Sequence, residues 1–364
     1  MLGVWFIVSG REGGQLIKYL GSKRNLVPAL GNIASAAGAR SALDLFSGTT
    51  RVAQEFKRRG IFTTACDLAS YSYQLARTYI ETDADTVDIA TLCAHLAAMS
   101  ALEGKEGYFT ETFCRQARFF QPHNGKRIDA CRDYLVDLQD DPLFPILLTS
   151  LMEAADRVDS TTGVQMAYLK KWAPRSYNQL ELRLPQLLSG KGQALQGDAL
   201  KLVDQVPAVD LAYLDPPYNQ HRYFTNYHIW ETLVRWDAPE AYGVARKRVD
   251  ARGDQHRSAF NSKRTMAQSF FSLLTRVRAK TIVVSYNDEA WIDEGEMVNA
   301  ILEAGFPQVK KFGFSQRRYV GAKIGIYDPR GKKVGKPGAD RNTENVFVGG
   351  SSATVSQISA ALLP

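Results

Sequence analysis

The sequence predicts an α/β fold, with a doubly wound sheet of about seven strands and a mostly helical insertion. Short apolar runs alternate with stretches of helical periodicity, which is typical of βαβ units. Several of these runs end in a carboxylate or a Gly-containing turn, at the edge where open α/β sheets bind ligands. The seven predicted strands are Ser41–Phe46, Ile61–Asp67, Gln193–Asp198, Val209–Asp215, Lys280–Asn287, Val309–Phe314 and Asn345–Gly349.

The first two strands and the helix between them form the clearest βαβ unit. The first strand ends in the turn Ser47–Thr50, and apolar residues follow at helical spacing as far as Gly60. A second helix is predicted over 71–81, directly after the second strand. Residues 297–302 have the apolar spacing of another helix, before the last two strands.

The stretch between the second and third strands is too long for a crossover connection. We therefore predict that residues 1–71 form the first part of the main domain and that 72–191 form a mostly helical insertion. Residues 192–364 complete the main domain. The Gly- and Lys-rich segment 331–341 is expected to be a mobile loop between the last two strands.

The positive charge of the chain is concentrated in one segment. The formal net charge is +7, and the stretch from Arg246 to Arg264 has seven basic residues against two aspartates, which is +5. Its glycine and aspartates favour a flexible loop. Such a loop suits a polyanion, although a solvated surface loop has the same composition.

Cysteine usage and hydropathy point to a cytoplasmic protein. The four cysteines form no CxxC pair and no Cys-His cluster, so we expect neither a metal site nor a disulfide framework. The apolar run 2–8 is too short to span a bilayer, and no membrane association is predicted.

The tetrapeptide Asp215-Pro216-Pro217-Tyr218 directly follows a predicted strand and carries the strongest chemical signal. An exocyclic amino nitrogen is a poor nucleophile because its lone pair is delocalised into the ring. The Asp215 carboxylate and the backbone carbonyl at Pro216 can accept both amino hydrogens, and the carboxylate stabilises the positive charge that develops during transfer. Tyr218 offers a flat face for an extruded base. Pro-Pro after a strand can also be a simple stop.

A second constellation follows the first three predicted strands. Asp44-Leu45-Phe46-Ser47-Gly48-Thr49 has one glycine, which suffices for a nucleotide-like ligand without phosphates but also occurs at ordinary strand-turn-helix corners. Asp67 lies 23 residues after Asp44, in the position of a ribose-binding acid. Asp198 ends the third strand and can accept from an adenine amino group.

The segment Lys18-Tyr19-Leu20-Gly21-Ser22-Lys23-Arg24 is compatible with a basic helix cap. Together with the other motifs it becomes a candidate wall of the cofactor pocket. Tyr19 would then lie against the cofactor's adenine, and Lys23 near its carboxylate.

In order, KYLGSK, DLFSGT, the acid of CDLAS, GDAL and DPPYNQHRY resemble the DNA adenine methylase family. The likeness is greatest to the branch found in type II restriction-modification systems. It continues through ARFFQPHNGKRID, NYHIWETL, SAFNSK and SYND, and covers nearly everything from Lys18 to about Phe347.

The resemblance implies a Rossmann-like S-adenosylmethionine-dependent methyltransferase that modifies N6 of a flipped adenine in double-stranded DNA. It implies a cofactor pocket of Tyr19, Lys23, Asp44, Phe46, Gly48, Asp67, Asp198 and Asp215, and an adenine held by Asp215 and Tyr218. The insertion would contribute to target recognition, and a cognate restriction endonuclease would act separately. The family commonly has Gly where this chain has Thr50, which we expect only to tighten the turn.

Contacts to DNA are predicted at the sheet edge that carries the active site. Arg222 and Tyr223 follow the catalytic loop closely. The basic segment would hold the phosphate backbone through Arg246, Lys247, Arg248 and Arg252.

Two other functions fit parts of this pattern. The same geometry could methylate an RNA adenine or the amino group of cytosine, although cytosine enzymes more often carry Ser in place of Asp215. A catalytically idle DNA-binding regulator on the same scaffold is the alternative of a different class, and the intact set of acidic residues argues against it.

Overall fold

The predicted seven-stranded sheet is confirmed. The computed structural model describes residues 17–19, 23–217, 223–253, 258–287, 291–317 and 341–362. Its strands are β1 (Ser41–Asp44), β2 (Phe62–Asp67), β3 (Gly192–Gln196), β4 (Val209–Leu214), β5 (Ala241–Tyr242), β6 (Lys247–Arg248), β7 (Ala279–Asn287), β8 (Gln308–Arg317) and β9 (Arg341–Gly350). The sheet has the order β3-β2-β1-β4-β7-β9-β8, while β5 and β6 form a separate hairpin.

Strand direction determines which residues meet at the functional edge. The strands β3, β2, β1, β4 and β7 pair in parallel, whereas β9 is antiparallel to both of its neighbours. The carboxyl ends of the parallel strands therefore share one edge with the amino-terminal part of β9. The chain leaves β1 towards β2 on one side and reaches β4 on the other, so the point between β1 and β4 is a topological switch point.

Helices cover both faces of the sheet. They are α1 (Val27–Ala36), α2 (Arg51–Arg58), α3 (Ser70–Ala76), α4 (Ile89–Ala101), α5 (Tyr108–Thr110), α6 (Pro122–Tyr134), α7 (Phe144–Val158), α8 (Ala199–Leu202), α9 (Tyr223–Asn226), α10 (His228–Arg235), α11 (Met266–Leu274), α12 (Glu294–Glu303) and α13 (Ser352–Leu362). One core contains residues of α1, α2 and α13, and a second contains residues of α8, α11 and α12. In the described part of the chain, no helix is long and apolar enough to span a membrane.

Between β2 and β3 the chain is predominantly helical, from α3 to α7. The predicted helix over 71–81 is α3, which continues as the π-helical segment Arg77–Glu81. Five phenylalanines of this stretch are buried and share a core with α10: Phe109, Phe113, Phe119, Phe120 and Phe144. This shared core, which also contains Ala65 of β2 and Ala194 of β3, joins the helices between β2 and β3 to the sheet.

The sequence predicts loops in the basic segment and in residues 331–341. The basic segment is not the flexible loop expected from its composition, because Lys247–Arg248 is a hairpin strand and Val249–Arg252 is a 3₁₀ turn. A second 3₁₀ turn is Ala259–Asn261, and 254–257 lie outside the described residues. Of the predicted loop 331–341, residues 331–340 are likewise outside them, and Arg341 begins β9.

Candidate active site

Asp44 and Asp215 mark the switch point of the sheet. Asp44 is the last residue of β1, and Asp215 follows the last residue of the adjacent strand β4. In the parallel register of these strands, Asp44 is opposite Tyr213. Both carboxylates therefore lie in the crevice where open α/β folds bind ligands.

All eight residues predicted for the cofactor pocket line a single cavity at this point: Tyr19, Lys23, Asp44, Phe46, Gly48, Asp67, Asp198 and Asp215. Tyr223, which was expected to contact DNA, is also part of the cavity wall. Tyr218 and Arg222 lie outside the described residues. Among the residues that are described, no cluster of three or more His, Cys, Asp or Glu side chains could hold a metal ion.

Lys23 lies between two carboxylates at one end of the cavity. Its Nζ is 3.0 Å from Asp215 Oδ1 and 2.6 Å from Glu344 Oε1. Lys23 and Glu344 are buried, and 18% of the Asp215 side chain is exposed. Burial raises the pKa of Asp215 to about 6; Lys23 opposes this rise and Glu344 adds to it. Asp215 is therefore ionised at neutral pH because Lys23 is beside it.

Glu344 was not predicted from the sequence. It lies on β9 opposite Asn287 of β7, and it reaches this edge because β9 is antiparallel to the parallel strands. A carboxylate two residues before the apolar run 346–348 is the only sequence signal of an unusual role.

Asp44 is a buried acceptor that lacks one partner. It is 1% exposed, and its Oδ1 has no hydrogen-bond partner among the described residues. Burial raises the pKa of Asp44 well above its usual value, and the nearby carboxylates of Asp215 and Asp67 raise it further. A cationic or hydrogen-bond-donating ligand group beside Asp44 would stabilise its ionised form.

Asp67 connects the turns that follow β1 and β2. Its Oδ2 accepts from the backbone N–H of Gly48 at 2.8 Å, and its Oδ1 accepts from that of Ala69 at 2.9 Å. Gly48 has a φ of +50°, and a Cβ there would lie 3.1 Å from Tyr19 Cε1. The left-handed φ therefore favours glycine at this position, and a side chain there would also crowd the ring of Tyr19.

Thr50, the departure from the family pattern, has a left-handed backbone conformation. Its φ is 62°, in the left-handed region where a β-branched residue is strained. The side-chain hydroxyl donates to the carbonyl of Thr49 at 2.7 Å and accepts from Gln54 Nε2 at 3.0 Å. The expectation that threonine only tightens the turn is thus incomplete, since the backbone here has a conformation that favours glycine.

Aromatic side chains supply flat faces around the cavity. Tyr19 is stacked against Tyr227 and Tyr223, with ring centroids 4.8 and 5.4 Å away. Phe46 meets Phe260 edge to face at 5.2 Å, and both line the cavity. Sequence reasoning did not select Phe260 as a site residue, although it belongs to the quoted stretch SAFNSK. Ser258 and Asn261 of the same stretch also line the cavity.

Asp198 is the N-cap of the short helix α8. One side-chain oxygen accepts from the backbone N–H of Leu200 at 2.8 Å, and the residue lines the cavity beside Gly197. This cap fixes the carboxylate in the cavity wall.

Arg248 does not have the predicted role of a phosphate contact. Its guanidinium is buried and pairs with Asp237 at 2.6 Å and with Asp250 at 2.7 Å. It therefore anchors the β5–β6 hairpin. Arg252 is exposed and lies over the ring of Tyr242, 3.8 Å from its centroid.

One family model and several curated relatives match the chain. Residues 19–299 match the sequence model of the D12 class N6 adenine-specific DNA methyltransferases. Modification methylase StsI of Streptococcus sanguinis is 29% identical over 83% of this chain and 49% of its own length. Type II methyltransferase M.NlaIII of Neisseria lactamica is 30% identical over 70% of this chain and 77% of its own length. Type II methyltransferase M.FokI of Planomicrobium okeanokoites is 27% identical over 83% of this chain and 50% of its own length.

The chain spans about half the length of several curated relatives it matches, StsI and M.FokI among them. The solved structure of SMU.776 complexed with SAH aligns over 92% of this chain and 51% of its own, with 12% identity and a TM-score of 0.33. That likeness is too low to bear on the site.

Proposed function

This chain belongs to the D12 class N6 adenine-specific DNA methyltransferase family, and on that premise we propose that it methylates adenine N6 in duplex DNA. The methyl donor would be S-adenosylmethionine, and the target adenine would be flipped out of the helix. The observation that carries the proposal is the position of Asp215, directly after β4 and in the wall of the acidic cavity.

The cavity has the polar groups that S-adenosylmethionine would need. We propose that Asp67 holds the ribose hydroxyls, that Asp198 accepts from the adenine amino group, and that Tyr19 covers the adenine ring. The Oδ1 of Asp44, which has no hydrogen-bond partner in the described part of the chain, suits the ammonium group of the cofactor. When bound, the cofactor supplies an electrophilic methyl group on a sulfonium.

The residues of the chain would prepare the amino nitrogen for that methyl group. The ionised Asp215 accepts one amino hydrogen, and the backbone carbonyl at Pro216 accepts the other. Two acceptors at fixed angles favour a pyramidal nitrogen with its lone pair directed at the donor. Asp215 also stabilises the positive charge that develops on the base during transfer.

Replacing Asp67 with Ala should weaken the binding of S-adenosylmethionine by about ten-fold or more. A charge-assisted hydrogen bond contributes roughly 1.5–3 kcal/mol, and the Ala variant also frees the N–H of Gly48. Calorimetric titration measures the change, with Asp85→Ala as an exposed control outside the cavity wall. Unchanged affinity in Asp67→Ala would remove this carboxylate from the ribose site.

We further propose that DNA lies along the β5–β6 hairpin. Lys247 is half-buried and Arg252 is exposed, and the ion pairs of the buried Arg248 with Asp237 and Asp250 hold the hairpin in place. The inserted helices lie beside it, since the hydroxyl of Tyr108 donates to the carbonyl of Pro239 at 2.5 Å. This neighbourhood supports a role for 72–191 in target recognition.

Replacing Arg246, Lys247 and Arg252 together with Ala should weaken binding to all duplex sequences alike. The slope of log affinity against log salt should become shallower, by about 0.9 for each phosphate that the variant no longer neutralises. Arg248→Ala should instead lower the unfolding temperature and leave the slope unchanged, because its charge is already paired. Titrations at several salt concentrations on specific and random duplexes measure both effects. A loss confined to one sequence would mean that the hairpin reads bases.

Transfer of a tritiated methyl group to unmodified duplex DNA, single-stranded DNA and RNA, measured side by side, tests the proposed function. We expect label in duplex DNA, recovered as N6-methyladenine. Label in RNA or on cytosine N4 would support the enzymatic alternatives, and DNA binding without transfer would support the idle regulator. We also propose a modification role beside a separate restriction endonuclease, in the cytoplasm with the DNA.

A further inference from the structure

Two cationic side chains line the cavity within the described ranges, Lys23 and Arg51. The cofactor proposed above has a carboxylate, and the sequence pattern assigned that group to Lys23. In the structure, however, Lys23 already lies within 3.0 Å of both Asp215 and Glu344. Its single charge is therefore already opposed by two carboxylates, and a third anion beside it would be repelled.

Arg51, unlike Lys23, forms no ion pair with a carboxylate in the described part of the chain. It is the first residue of α2 and is partly buried in the cavity wall. Its Nε is buried and has no hydrogen-bond partner among the residues that the structure describes. Glu153 is near enough to favour its charge, but Glu153 Oε1 accepts from the hydroxyl of Tyr79 at 2.5 Å and forms no ion pair with Arg51. A guanidinium in this state is costly unless an anion binds to it.

The same turn offers two further unpartnered groups. Asp44 Oδ1 and Ser47 Oγ are buried, have no hydrogen-bond partner among the described residues, and line the same cavity as Arg51. One carboxylate, one hydroxyl and one guanidinium within a single strand-turn-helix connection match the two charges of a free α-amino acid group.

We propose that Arg51, and not Lys23, binds the carboxylate at the amino acid end of the cofactor. Asp44 binds the ammonium group of the same end, and Lys23 pairs with Asp215. This assignment rests on the proposed function, because it presupposes S-adenosylmethionine in this cavity. It adds Arg51 as a residue that recognises the carboxylate of the ligand and none of its other groups.

Decarboxylated S-adenosylmethionine lacks only that carboxylate and is the discriminating probe. Calorimetric titration of the wild-type protein and of Arg51→Met with both compounds separates the carboxylate contact from every other contact. We expect Arg51→Met to weaken the binding of S-adenosylmethionine by about 10- to 100-fold, the effect of losing a charge-assisted hydrogen bond. Binding of the decarboxylated compound should not change, and Arg51→Lys should keep part of the preference.

Arg58→Met is the matched control, since Arg58 is on the same helix but exposed and paired with Glu55. It should bind both compounds like the wild type. Equal weakening of both compounds by Arg51→Met, or no weakening, would overturn the assignment. A selective loss of S-adenosylmethionine binding in Lys23→Met, without such a loss in Arg51→Met, would also overturn it. If the wild-type protein binds neither compound, the proposed function itself fails, which is a different result.

Discussion

Asp215→Ala should reduce methyl transfer by at least about 10²–10³-fold, the usual cost of removing one group that stabilises transition-state charge. The expectation follows from its position directly after β4, in the wall of the cavity. Without this carboxylate, one amino hydrogen of the base has no acceptor, and the charge that develops on the base has no counter-ion.

The fold should survive this substitution. Lys23 keeps Glu344 at 2.6 Å when Asp215 is replaced, so no buried cation is left unpaired. Single-turnover transfer and thermal unfolding, measured on Asp215→Ala and on the isosteric Asp215→Asn, separate chemistry from stability. Near-native turnover in Asp215→Ala would refute the assigned mechanism.

Lys23→Met should have the second largest effect, on both the rate and its pH dependence. It leaves Asp215 and Glu344 as two carboxylates without their shared cation, and Asp44 is a third nearby. Removing one partner of a buried ion pair costs about 3–5 kcal/mol, so the free energy of unfolding should fall.

The direction of the pH effect follows from the ionisation of Asp215. Transfer needs the carboxylate, so the wild-type rate should fall as the pH drops through about 6. Lys23→Met should move this acid limb to higher pH, because a favourable cation is removed. Glu344→Gln should move it to lower pH, because a repelling carboxylate is removed. The profile of kcat/KM against pH measures both shifts, and identical acid limbs in all three proteins would contradict the account.

The fold was predictable because its signals are local. Most predicted strands are short apolar runs, several of them end in a carboxylate, and the carboxyl ends of parallel strands meet at one edge. The motif order identified the family, and that prediction is confirmed by the match over residues 19–299. Asp44, Asp67 and Asp198 line one cavity for the same reason.

The features that were missed depend on distant parts of the chain or on conformation. Glu344 reaches Lys23 only because β9 is antiparallel within the sheet. Arg248 belongs to a basic run, and its burial against Asp237 and Asp250 follows from the hairpin, which composition does not reveal. The left-handed φ of Thr50 is a property of the folded turn, and the sequence pattern alone does not reveal it.

The most direct test of the central claim is single-molecule sequencing of DNA from cells that express the protein or its Asp215→Ala variant. Host DNA that lacks adenine methylation makes every modified base attributable to the expressed protein. The account predicts N6-methyladenine in one recurring sequence context with the wild-type protein and none with the variant. Modification of cytosine, no modification, or equal adenine methylation with both proteins would contradict it.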